Sequence, residues 1–173
     1  MGKLDTVVQS SNTFWDMLVQ TTKQGLDEFV HFSKNVLGTE IATGDVLYCL
    51  EEVEIPKREV STVVNAERLL GKSLAKHFST VGGRRVVDKA LNIRISIDIE
   101  NQIGIVCQLV KDLNPKRLMS LVGSLVFLSQ RVYSERLILT IMGTKAERND
   151  PIVLELLEIM DRLKVTTCYV TMV

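Results

Sequence analysis

Residues 91–100 read Leu-Asn-Ile-Arg-Ile-Ser-Ile-Asp-Ile-Glu, apolar at every odd position and polar between. A period of two predicts a β-strand with one buried and one wet face, because successive strand side chains point to opposite sides. After Asn101-Gln102 the run 103–110 resumes in aliphatic residues, so the two segments predict a hairpin, although its turn lacks the Asn-Gly or Asp-Gly pair. Segments 137–142 and 165–173 predict two more strands. Segment 46–55, stopped by Pro56, predicts a further one with its acidic side chains outward.

Helical spacing fills the rest. Leu4, Val7, Val8, Trp15, Leu18, Phe29, Phe32, Val36 and Leu37 predict one long helix over 4–37, or two split near Gly25, stopped at Gly38. Val63, Val64, Leu69, Leu70, Leu74 and Phe78 predict a helix within 60–81, broken by Gly82-Gly83. Asn114-Pro115 supplies a cap and a first-turn proline for a helix with Leu118, Leu121, Val122, Leu125, Phe127, Leu128 and Val132 almost all round it, which predicts deep burial. Asp150-Pro151 opens a last helix through Leu163. The expected class is α+β, with α/β as the alternative: a mixed sheet of about five strands covered by helices, with a long N-terminal helix. Residues 1–38 read as the N-terminal helical segment and 39–173 as the α+β core, a single domain overall.

Composition agrees with a packed core. Apolar residues make up 46% of the 173, and three prolines with ten glycines exclude a disordered chain. Cys49, Cys107 and Cys168 are few, scattered and odd in number, so they read as reduced thiols in apolar runs and place the chain in a reducing compartment. No run reaches the roughly 18–20 apolar residues of a membrane-spanning helix. A cytoplasmic chain is expected, or one peripheral at membranes.

A net charge of zero conceals segregation. Residues 40–54 hold five acidic side chains and no basic one, whereas 57–94 hold nine Lys or Arg against three acidic residues. Lys72, Lys76, Arg84, Arg85 and Lys89 are the candidate contacts to nucleic acid or an anionic surface, since clustered cations suit phosphate groups. The ordinary alternative is a solvated helix end, whose dipole also favours cations.

Other motifs carry less. Ala66-Glu67-Arg68-Leu69-Leu70-Gly71-Lys72-Ser73 meets the loose phosphate-loop spacing, yet its spacers are strong helix formers and alanine replaces the first glycine. Met1-Gly2-Lys3-Leu4-Asp5-Thr6 matches the N-myristoylation pattern, which makes Gly2 a candidate lipidation site. His31 and His77 have no set of partners at metal-ligand spacing, and no catalytic frame or cofactor motif stands out. Asp98 and Glu100 form a carboxylate pair that reads as an exposed sheet face.

These readings converge on a non-enzymatic interaction and assembly protein, in character like viral matrix or nucleic-acid-transport proteins. It is expected to form homo-oligomers and to engage nucleic acid, an anionic membrane surface or a protein partner, with no cofactor and no metal. The alternative is a small nucleotide-binding or ligand-responsive α/β protein using residues 66–73.

Overall fold

A computed structural model of the protein describes residues 40–81 and 84–173. The predicted N-terminal helix and Gly2 lie outside the described residues. The body from Ala42 to Val173 is an α+β fold built on a mixed sheet. In chain order its elements are α1 (Thr43–Glu51), β1 (Glu54–Ile55), α2 (Val63–Leu74), β2 (Thr80–Val81), β3 (Arg85–Asp88), β4 (Ile93–Ile95), β5 (Ile97–Ile99), β6 (Ile103–Leu109), α3 (Pro115–Arg131), β7 (Leu137–Gly143), α4 (Pro151–Leu163) and β8 (Thr166–Met172). Six strands form the main sheet in the order β1-β8-β7-β6-β5-β2, and β3 pairs with β4 in a separate ribbon. Strands β1, β8, β7 and β6 run parallel, while β5 is antiparallel to both β6 and β2.

Parallel central strands are buried on both faces, which explains why β6 and β7 read as continuous apolar runs. Helices α3 and α4 cover one face. Leu118, Leu121, Leu125 and Leu128 of α3 and Val153, Leu156 and Met160 of α4 meet Leu137, Leu139 and Ile141 of β7 there. The predicted Asn114 cap forms, with Asn114 Oδ1 accepting from Arg117 N–H at 2.8 Å. The last helix also starts at Pro151, as expected, and β8 is a parallel neighbour of β7. Strand β8 is therefore paired within the chain, along its length to β7 and through two residues to β1.

Three expectations are corrected. Much of segment 46–55 is helix α1, because Val46 and Leu50, four residues apart, both turn fully inward while Tyr48 between them is exposed. Only Glu54–Ile55 is extended, immediately before Pro56. Helix α3 is one-sided: its leucines at 118, 121, 125 and 128 are buried, but Met119 is 75% exposed and Val126 faces outward. Covering a single sheet face requires one apolar stripe, and the remaining apolar positions are left in solvent.

The third correction concerns the alternating strand. It breaks at Ser96 into β4 and β5, and its expected wet face holds only in part: Asn92, Arg94 and Glu100 are exposed, whereas Ser96 and Asp98 are 5% and 2% exposed. Ile93 and Ile95 join the core under α3, whereas Ile97 approaches Gly71 on α2, so the bend swaps the inward faces. Pairing of β5 with β6 ends at Ile97 opposite Ile105, and β4 leaves the main sheet to pair with β3. The sheet thus forks at Ser96. The hairpin beyond β5 closes through Glu100 and Asn101 at φ of 52° and 59°, with Gln102 N–H returning to Ile99 C=O at 2.9 Å. Positive φ at both turn positions matches strand twist, and the chain accepts it without a glycine.

Two glycines give opposite expected outcomes on replacement by alanine. A β-carbon at Gly104 would lie 2.6–2.8 Å from the Tyr133 ring, so Gly104→Ala should lower unfolding free energy by about 1–3 kcal/mol. A β-carbon at Gly123, exposed within α3, meets nothing within 4 Å, so Gly123→Ala should raise it by up to about 1 kcal/mol. Urea denaturation midpoints of the two variants check both signs.

Candidate functional site

Helix α2 begins at Thr62, whose hydroxyl accepts from Asn65 N–H at 3.4 Å while Asn65 Oδ1 accepts from Thr62 N–H at 3.2 Å. Ala66, Leu70 and Leu74 then pack inward, and Glu67 follows them to 6% exposure. The phosphate-loop match at 66–73 lies wholly inside this helix. Its backbone N–H groups are committed to helical hydrogen bonds, so it has no loop to cradle a phosphate. Lys72 and Lys76 are exposed beside a shallow cavity of about 160 Å³ shared with Glu54, Ile55, Pro56, Leu69 and Ser73.

Glu67 is buried because it has partners. Arg84 grips it with Nε and Nη2, at 3.3 and 2.8 Å, and the Ser96 hydroxyl donates to it at 2.5 Å. The same Ser96 Oγ accepts from Cys107 N–H at 3.0 Å. That bond occurs where β6 has lost its β5 partner, so a side chain replaces the missing ladder hydrogen bond.

The adjacent residue Arg85 serves a second carboxylate. Its Nη2 donates to Asp98 Oδ2 at 2.8 Å and approaches the Tyr133 hydroxyl at 2.7 Å, and that hydroxyl donates to Asp98 Oδ2 at 2.5 Å. Asn101 N–H donates to Asp98 Oδ1 at 2.8 Å. Burial and then Asp98 push the Tyr133 phenol up to about 12. Asp98 is thereby occupied in structure, and the Asp98–Glu100 pair does not form an exposed sheet face. Glu100 instead accepts from Ser79 N–H at 3.2 Å.

The fork opens a polar cleft of about 160 Å³ between the diverging strands and α3. Arg84, Arg94 and Arg117 line it, together with Asn92, Ser96 and Ser124. Arg94 Nε donates to Asn92 Oδ1 at 3.1 Å, and Arg117 Nε donates to Gln108 Oε1 at 2.8 Å. Both acceptors are neutral amides, which orient the guanidinium groups without cancelling their charge. Burial chiefly, and next the charge of Arg84, hold Arg117 below the usual arginine range, while Asp112 opposes the shift. Cations in mutual repulsion at the edge of a cavity favour an anion between them. Cys107 also borders the cleft, but burial, assisted by Glu67, pushes its thiol up and away from a reactive thiolate.

Of the five cations singled out in the sequence, the fork brings Arg84 into this cleft, while Arg85 turns to Asp98. Lys72 and Lys76 border the other cavity, and Lys89 is exposed in the turn after β3. Arg94, Arg117 and Glu67 were not singled out by the sequence reading. Arg94 carried one signal, its place within the alternating run; Arg117 carried none beyond standing next to a helix start. Among the described residues, no group of three His, Cys, Asp or Glu side chains is placed to hold a metal ion. No helix among them is long and apolar enough to cross a membrane. Comparison of the chain with family models, curated proteins and solved structures finds no match.

Tyr133→Phe leaves buried Asp98 short of one donor, so it should cost about 1–3 kcal/mol at neutral pH. A phenol whose folded value exceeds its ordinary value near 10 contributes stability below that value and loses it as pH rises towards about 12. Denaturation midpoints measured from pH 9 upward should fall more steeply in the native chain than in Tyr133→Phe. The decline left in the variant includes that of Tyr169, likewise pushed up to about 12 by burial and then by Glu147.

Proposed function

We propose that the protein is a non-enzymatic nucleic-acid-binding protein that takes backbone phosphate into the cleft at the sheet fork. One observation carries this reading: three arginines line a single polar cavity, and two of them hydrogen-bond neutral amides. Guanidinium groups pre-oriented by such partners present paired donors to phosphate oxygens, and little rotamer freedom remains to be lost on binding. A concave site receives a protruding phosphate more readily than the flat array of headgroups on a membrane. Lys72, Lys76 and Lys89 add exposed positive charge, which supports long-range attraction of a polyanion.

Binding of a short fluorescent oligonucleotide, followed by anisotropy, tests this. Affinity should fall linearly with salt on logarithmic axes, and removal of one phosphate contact should reduce the slope by about 1. Arg94→Gln and Arg117→Gln should each weaken binding roughly tenfold or more at low salt, as expected for lost hydrogen bonds to a charged group. Anionic vesicles binding in place of the oligonucleotide, or no binding at low salt, would remove the reading.

A further inference from the structure

The cleft's charge balance narrows its ligand, on the basis of the phosphate-binding reading above. Arg84, Arg94 and Arg117 bring three positive charges to one cavity, and Glu67, bound through two oxygens to Arg84 and Ser96, returns one negative charge. Two positive charges therefore remain among the lining residues and Glu67 for a ligand, with Asp112 acting on Arg117 from outside the lining. An internal phosphodiester carries one negative charge, whereas a terminal phosphate monoester carries about −1.5 to −2 at pH 7. We infer that the cleft is a site for a terminal phosphate monoester, carried by a nucleic-acid end or by a free nucleotide.

The geometry agrees with this charge count. Arg94 and Arg117 each use Nε on a neutral amide, so their terminal nitrogens are the donors left for a ligand. Ser124 and the Asn92 amide also line the cavity and offer neutral hydrogen-bonding groups to the remaining oxygens. An internal phosphate has two of its four oxygens esterified and chain leaving on both sides. A terminal group has a single ester bond, so it enters a small cleft with three oxygens free. Glu67 selects further: its buried carboxylate occupies Arg84 and leaves the other two arginines as the main attraction.

Equilibrium binding with the full chain tests this using one oligonucleotide sequence carrying either a 5′-phosphate or a 5′-hydroxyl, alongside the matching nucleoside monophosphate. At pH 7.5 the phosphorylated strand should bind at least tenfold more tightly than the hydroxyl strand. The gap should narrow below about pH 6, where the monoester takes up its second proton. Arg94→Gln and Arg117→Gln should bring the two strands to similar affinity while circular dichroism stays native-like; Arg94→Gln should also melt like the native chain, whereas Arg117→Gln, which takes a donor from buried Gln108, should melt lower. A nucleoside monophosphate binding as tightly as the phosphorylated strand upholds the inference and identifies free nucleotide as the source; much weaker binding upholds it with a strand end as the source. Equal, salt-sensitive binding of both strands by the native chain overturns the inference and leaves nucleic-acid binding standing. Failure of every probe to bind overturns both.

Discussion

Consecutive arginines bind carboxylates on either side of one strand bend, and the described fold turns on that arrangement. Arg84 reaches Glu67 on α2, while Arg85 reaches Asp98 and the phenol that follows α3. A carboxylate almost out of water is tolerated only with a full set of donors, and loss of the partner of a buried charge typically costs about 3–5 kcal/mol. The exposure of the two guanidinium groups reduces that figure here, but the carboxylates themselves have little access to solvent. The ribbon β3–β4 is thus tied at two points, to α2 through Arg84 and to β5 through Arg85, and Ser96 at the bend bonds the same Glu67 as Arg84.

That bend makes the cleft. Had residues 91–100 run as one unbroken strand, β6 would be paired along its length and Arg94 would lie on a sheet face. Instead Ser96 takes the Cys107 N–H that a partner strand would have satisfied, and β4 swings out. The space left is bordered by polar side chains because a strand's own polar positions, Asn92, Arg94 and Ser96, face it. A structural compromise in the ladder and a cation-lined cavity therefore have one origin.

Much of the architecture was legible in the residues, for reasons that also show where legibility stopped. Asn114-Pro115 marks a helix start through its cap and proline and Asp150-Pro151 through its proline, while β7 reads correctly because a strand buried on both faces is almost wholly apolar and β8 because it is rich in Val and Thr. Segment 46–55 misled because Val46 and Leu50 fit both a short apolar strand and a one-stripe helix. The alternation at 91–100 gave the strands but not the bend, since the partner that Ser96 meets there, Glu67, is distant in sequence. For the same reason the cluster of cations in the middle of the chain was visible while its division was not. Whether an arginine faces a carboxylate or a cavity depends on contacts that the linear order does not contain.

The outer strands β1 and β2 contain only two residues each. Strand β1 covers only Thr171 and Met172 of β8, so residues 166–170 of β8 keep a border with no strand partner among the described residues, and a row of backbone groups of that length can accept an added strand. The sheet border most open to a further strand thus lies beside its shortest member, whereas Met119 and Val126 are apolar groups left in solvent on a helix face.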